Sequence, residues 1–315
     1  MLERDEHGVM HDRPTSEVLD PFRGVDLGAL EHSLRRPRTA FNSFLSWFIG
    51  GLTLLALVPL VSVLWMLFSR GVQRLSLAVF TQTPPAPLEQ GGGFGNAIVG
   101  TLVMVGVAML VTVPMGVLSA VFLSQAEPEN RLAQVVRFAA KILTGFPSIL
   151  AGVFAYGAVV LATGSFSAVA GALGLSILML PTITLTAEDA LRMVPAKMRE
   201  AAVGMGATPT QTAWMVLLPT AVPGIATGVM LAVARAAGET APLLFTALFS
   251  RYWVISNGHP DLMQPTASLA VLIYNFAGQP YDNQLELAWS AALVLVLLVL
   301  VVNLLGQRIS ARRID

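Results

Sequence analysis

The chain contains no cysteine and little charge. The first absence excludes a disulfide framework and thiol chemistry. Only 12% of the 315 residues are charged, about half the share of a soluble domain. Lys plus Arg number 19 and Asp plus Glu number 19, so the net charge is +0 and nothing draws the whole molecule to nucleic acid or another anionic partner. No Walker A or Walker B pattern occurs. Gly91-Gly92-Gly93 lacks the following Lys-Ser/Thr and the preceding strand of a phosphate loop, and reads as a flexible connector. The histidines, His7, His11, His32 and His259, lie outside the apolar runs, and those runs hold no Ser/His pairing or paired Asp. Catalysis therefore has no constellation to use, and no catalytic residue, metal ligand or cofactor is expected. A cleaved leader is not expected either, because the first apolar run is too long and too late.

What the chain has in abundance is apolar length. Its composition is 55% hydrophobic, with a mean hydropathy of +0.69. Six segments are long enough to cross a bilayer, at about 20 residues each: 44–68, 96–123, 142–162, 167–187, 220–249 and 287–305. Basic residues cluster before the first (Arg35, Arg36, Arg38), between the second and third (Arg131, Arg137, Lys141), after the fourth (Arg192, Lys197, Arg199) and after the last (Arg308, Arg312, Arg313). That bias puts both termini in the cytoplasm. The result is an all-α, multi-pass membrane protein with six transmembrane helices. It divides into a polar N-terminal segment (1–43), a first helix with an external loop (44–94), a core (95–306) and a basic tail (307–315). The segment 250–286 reads as external, and its portion from Asn275 to Tyr281 is a candidate to tuck into the membrane. Gly145-Phe146-Pro147-Ser148 and Gly152 allow a local break or a close helix approach in the third span.

The stretch 195–219, PAKMREAAVGMGATPTQTAWMVLLP, is polar among apolar neighbours and punctuated as two short helices. Pro195 suits a first helical position, and Gly204 and Gly206 suit a stop. Thr208 reads as the next N-cap, with Pro209 at the first helical position and Gln211 completing a capping box. Pro219 is expected to end that second helix.

The fifth span carries Arg235 and Glu239, one helical turn apart on a shared face. Arg235 lies about 24 Å beyond Pro219 along a straight helix. A charge at the bilayer centre costs about 3 kcal/mol or more, so such a pair faces protein or a water-filled cavity. It is either a self-neutralising packing pair or an anion contact in which the guanidinium fork meets adjacent oxygens.

Two of these patterns resemble a known family. Glu200-Ala201-Ala202, Gly206, Val216 and Leu218-Pro219 stand in the register of the EAA loop of ABC importer permeases. Arg235-Ala236-Ala237-Gly238-Glu239-Thr240-Ala241-Pro242 is similar to the fifth span of phosphate-specific permeases, the PstA type in particular. Pro147-Ser148 and Gly152 have a counterpart there as well. The resemblance covers about residues 95–306. It implies the type-1 permease fold in the plasma (inner) membrane, with the loop docking an ATPase through Glu200, Ala201, Ala202, Gly206, Leu218 and Pro219. It also implies translocation of phosphate past Arg235 and Glu239. The implied partners are a second, homologous permease (PstC type), two copies of an ATPase (PstB type) and an external phosphate-binding protein (PstS type), all in membrane lipid. The same architecture carrying sulfate or molybdate is the alternative, and a channel or scaffold is another.

Overall fold

The computed structural model describes residues 37–311 apart from Pro128 and Asn257, together with two short strands near the N-terminus. The chain forms two compact units, residues 1–62 and 63–315. In the first, β1 (Glu3–Arg4) pairs antiparallel with β2 (Met10–His11). Most of the polar segment 1–43, including His7 and His32, lies outside the described residues, as do Arg312 and Arg313 of the basic tail. The long helix α1 (Pro37–Gly71) begins in the first unit and ends in the second.

The second unit holds the other spans. After α1 come a short helix α2 (Leu77–Thr81) and the spanning helix α3 (Gly95–Gln125). The stretch between them is pinned rather than loosely connecting. Asn283 donates to the carbonyls of Glu89 (2.8 Å) and Gly91 (3.1 Å), and Gly93 is crowded by the carbonyls of Ala78 and Val79.

Residues 131–141, the basic stretch between the second and third expected spans, form most of α4 (Arg131–Thr144). Its N-cap Asn130 accepts from the Ala133 amide at 3.1 Å. The expected span 142–162 is corrected accordingly. Its first turn belongs to α4, and after a break at 145–147 the chain turns through 107° into α5 (Ser148–Thr163). Pro147 forces this, because a proline disfavours helical geometry in the residue before it. Among the described residues, five helices are long and apolar enough to span a membrane, and the bent pair α4–α5 supplies a sixth if it counts as one span.

The centre of the unit is α6 (Ala168–Arg192), which packs against α3, α4, α5 and the later span α8. Leu175, Met179, Ile183 and Ala187 recur at helical spacing on one fully buried stripe. Small residues let its neighbours approach: a Cβ on Gly116 of α3 would lie 2.7 Å from the Ile183 side chain.

Next comes α7 (Ala196–Gly204), followed by α8, one continuous helix over Pro209–Gly238. Here Pro219 does not end a helix. Residues 213–217 wind as a π-helical turn, in which the Leu218 amide donates to the carbonyl of Ala213, five residues back. That wider turn accommodates a proline that would otherwise clash with the carbonyl four residues earlier.

The fifth span is also shorter than the apolar run 220–249 suggests, since α8 stops at Gly238. Pro242 has no amide hydrogen and its ring would meet the carbonyl of Gly238, so a further turn is disfavoured. After a short helix α9 (Ala241–Leu244) the chain passes through a two-residue hairpin, β3 (Ile255–Ser256) and β4 (His259–Pro260), to α10 (Leu269–Ala277). This apolar helix is buried through Leu269, Val271 and Leu272 and packs against α3 and the last helix, α11 (Asp282–Ala311). Of the portion Asn275 to Tyr281, residues 275–277 form the last turn of α10, and the chain leaves the helix at Gly278.

Candidate functional site

Three side-chain groups stand out. The first is the hairpin of α7 and the start of α8. Its stop is a left-handed glycine cap: Gly206 has φ +85°, its amide donates to the Val203 carbonyl at 2.9 Å, and the Ala207 amide reaches the Ala202 carbonyl at 3.0 Å. The restart is the capping box read from the sequence. The Gln211 amide donates to Thr208 Oγ1 at 3.3 Å and Gln211 Oε1 accepts from the Thr208 amide at 2.9 Å. Pro195 sits one place earlier than expected, at the N-cap of α7 rather than inside it.

Of the six residues of the loop motif, Ala202 is buried, Leu218 is half-buried and Glu200, Ala201, Gly206 and Pro219 are exposed. Glu200 has no ion-pair partner among the described residues. The same hairpin exposes the apolar side chains of Met198, Val203, Met205 and Met215, with Met205 at 83% exposure. Methionine on an open surface suits adaptable contact with another protein.

The second group is Arg235 and Glu239. Arg235 occupies the last turn of α8 and Glu239 is its C-cap, in extended geometry. Their ion pair measures 3.2 Å (Nε to Oε1), with side-chain exposures of 44% and 16%. Along α8, Ala232, Val233, Ala236 and Ala237 are buried, whereas Thr227, Leu231, Arg235 and Gly238 are exposed. Arg235 thus stands on an open stripe of an otherwise packed helix, and Glu239 is its one ion-pair partner among the described residues.

The structure also brings together two stretches that are far apart in the sequence. Gly152 on α5 lies directly over Pro242, and a Cβ there would come within 2.6 Å of Pro242 Cα. A Cβ on Gly174 of α6 would meet the side chain of the same proline at an ordinary 3.4 Å. The turn after Glu239 is held on both sides.

The third group was not evident from the sequence. Glu188 on α6 is only 5% exposed and is shared by two arginines through one oxygen. Arg137 of α4 approaches Oε1 with Nε at 3.0 Å and Nη2 at 2.7 Å, and Arg192 approaches it at 2.8 Å. Arg137 Nη2 also donates to the Leu123 carbonyl at the end of α3 (3.3 Å). The spacing of Glu188 and Arg192 was a signal for one half of this cluster. No local pattern marked Arg137.

The family model for binding-protein-dependent transport system inner membrane components matches residues 112–315. The chain belongs to that family. Among the relatives of this permease is the phosphate transport system permease protein PstA of Yersinia pestis, 39% identical over 254 residues, covering 80% of this chain and 84% of that protein. The PstA protein of Haemophilus influenzae is 40% identical over 244 residues, covering 77% and 84%. PstA 1 of Mycobacterium tuberculosis is 36% identical over 273 residues, covering 85% of this permease and 87% of that protein. In fold, the permease is similar to a chain of a bacterial alginate ABC transporter, with a TM-score of 0.61 at 16% identity over 89% of this chain and 98% of that one. It is also similar to a chain of the MetNI methionine ABC transporter, with a TM-score of 0.54 at 22% identity over 69% and 93%.

Proposed function

We propose that this permease conducts inorganic phosphate across the inner membrane, driven by an ATPase that docks on the α7–α8 hairpin. The observation that carries the reading is Arg235. It is a guanidinium on an open stripe of a spanning helix, restrained by one carboxylate and free to offer its remaining donors. A tetrahedral oxyanion matches that donor fork, and the relatives are named for phosphate transport. Glu239 keeps the arginine paired when no anion is present and weakens the contact enough for release. The open stripe of α8 faces the pathway, whose other wall comes from a second, homologous permease of the PstC type. Two ATPase copies of the PstB type and a phosphate-binding protein of the PstS type complete the machine, with both permease termini on the ATPase side. This chain hydrolyses nothing.

Competition for ATP-dependent uptake by the assembled complex tests the substrate. Phosphate and arsenate should displace labelled phosphate, while sulfate and molybdate should not. Uptake inhibited equally by sulfate or molybdate reassigns the oxyanion.

The hairpin is tested by substitutions that differ only in backbone tolerance. A Cβ at Gly206 meets open space, so a replacement there is opposed by conformation alone. The left-handed region costs an ordinary residue about 1–2 kcal/mol, and asparagine less. Gly206→Val should therefore reduce ATPase co-purification by about tenfold, with Gly206→Asn much milder. Glu200→Lys should leave the membrane unit folded but remove the response of ATPase activity to the binding protein. Normal stimulated activity in both Gly206→Val and Glu200→Lys would remove the docking assignment.

A further inference from the structure

Glu188 lies one turn before the end of α6, the helix that leads into the docking hairpin, and its two arginines are held differently. Arg137 is fixed: its guanidinium makes two contacts to the carboxylate and a third to the Leu123 carbonyl, joining α3, α4 and α6. Arg192 makes a single contact, is 54% exposed, and is the last residue of α6 before the chain enters α7 through 193–195. Beside it opens a cavity of about 240 Å³, lined by Ser124, Arg192, Val194, Ala196 and Arg199. The Arg192 guanidinium therefore has room to leave Glu188 when α7 shifts.

On the other side of Glu188, Arg137 belongs to α4, which is joined to α5 by an elbow bonded on both sides. The Gly145 amide donates to Ile142 (3.1 Å), the Phe146 amide to Leu143 (3.2 Å) and the Leu150 amide to Pro147 (3.0 Å). The far arm of the elbow carries Gly152, whose backbone rests on Pro242, three residues beyond Glu239.

We propose that Glu188 is the exchange point of a mechanical linkage between the docking hairpin and the anion site, with Arg192 its movable member and Arg137 its fixed one. When α7 moves, Arg192 enters or leaves the carboxylate. Its departure changes how firmly Glu188 holds Arg137, and so the set of the α4–α5 elbow against Pro242. These three are positioning residues and touch no substrate. The transport arm of the test rests on the function proposed above. A second arm does not.

The experiment uses the full complex of this permease, its partner permease, ATPase and binding protein in lipid vesicles, with Arg192→Gln, Arg137→Gln, Arg137→Lys and the double glutamine variant. Arg192→Gln should keep ATPase co-purification and ATP hydrolysis within about twofold of the unaltered complex. Phosphate moved per ATP should fall at least about tenfold. Arg137→Lys should retain more transport per ATP than Arg137→Gln. The double variant should be no worse than Arg137→Gln alone, because residues on one linkage do not add.

The absence of cysteine permits the second arm, a spin-label distance between Val153→Cys on α5 and Leu297→Cys on α11, read with and without ATP. The distance should change in the unaltered complex and stay fixed in Arg192→Gln. This readout needs no phosphate, so it separates failure of the linkage from failure of the substrate assignment. The proposal is overturned if Arg192→Gln preserves phosphate moved per ATP, if the two arginine losses multiply, or if α5 responds to ATP in Arg192→Gln as it does in the unaltered complex.

Discussion

Arg235→Gln is expected to reduce phosphate uptake at least about a hundredfold, since each charge-assisted hydrogen bond to an anion contributes about 1.5–3 kcal/mol. The loss should persist when Glu239→Gln accompanies it, with the complex still assembled. That double variant decides between the two roles open to an intramembrane ion pair. If Arg235 and Glu239 only lock helices, the costly state is one unpaired charge, and neutralising both removes it. Uptake would then recover in the double. If Arg235 meets the anion, restoring neutrality restores nothing. The pair's geometry favours the second outcome, because Arg235 is 44% exposed and its carboxylate partner follows on the same chain. The contact joins neighbouring turns of one segment and links no two described helices of this chain. Arg235→Lys should retain about a tenth of uptake at most, since a point charge lacks the planar fork. Glu239→Gln alone should be milder and should slow release more than entry. Uptake normalised to assembled complex in the single and double variants is the measurement. Wild-type uptake in the double neutral variant would falsify the anion role.

What was legible in the sequence follows the range of the interactions that decide each feature. The α7–α8 hairpin is set by contacts within five residues: Gly206 for a left-handed cap and Thr208 with Gln211 for a box. Its stop at Gly206 and its restart at Thr208 could be read directly, whereas Pro195 and Pro219 at its two ends could not. Five of the six spans were legible from apolar length alone, but their ends were not, and the third is a bent pair of helices. Proline is the clearest example. Pro114, Pro181, Pro219 and Pro223 all sit inside helices here, while Pro242 stands in the first turn of a new short helix after the break at Glu239. In a packed membrane unit, neighbouring groups and π-type turns absorb the missing bond. A proline in the sequence therefore marks a possible break without choosing it. The break at Gly238–Glu239 changes how the Arg235 site is built, since Glu239 is a cap on an extended backbone rather than the next turn of a helix. The Glu188 cluster was illegible for a different reason. Arg137 and Glu188 are 51 residues apart, and only the packing of α4 on α6 brings them together.

The second large effect concerns Gly152. Adding a single methyl there should disable transport more than its size suggests. The new Cβ would lie 2.6 Å from Pro242 Cα, 3.0 Å from its carbonyl oxygen and 3.2 Å from its carbonyl carbon. All three are backbone atoms, so no side chain can rotate out of the way. Forcing extra volume into such a contact costs about 1–3 kcal/mol, most of it as displaced backbone. Pro242 follows Glu239 by three residues, on a turn that Gly174 supports from the other side, so the displacement is delivered to the carboxylate that partners Arg235. A shift of about 1 Å in a functional group can cost about a hundredfold in rate. Gly152→Val is therefore expected to lose nearly all uptake and Gly152→Ala at least about tenfold. Gly174→Ala is the matched control. It adds the same methyl against the same proline, but at 3.4 Å from a side-chain carbon, and it should stay within about twofold of the unaltered permease. Equal losses at both glycines would mean that the region tolerates no added volume anywhere. Normal uptake in Gly152→Ala, with the complex assembled, would mean that the turn after Glu239 moves freely and does not position the pair.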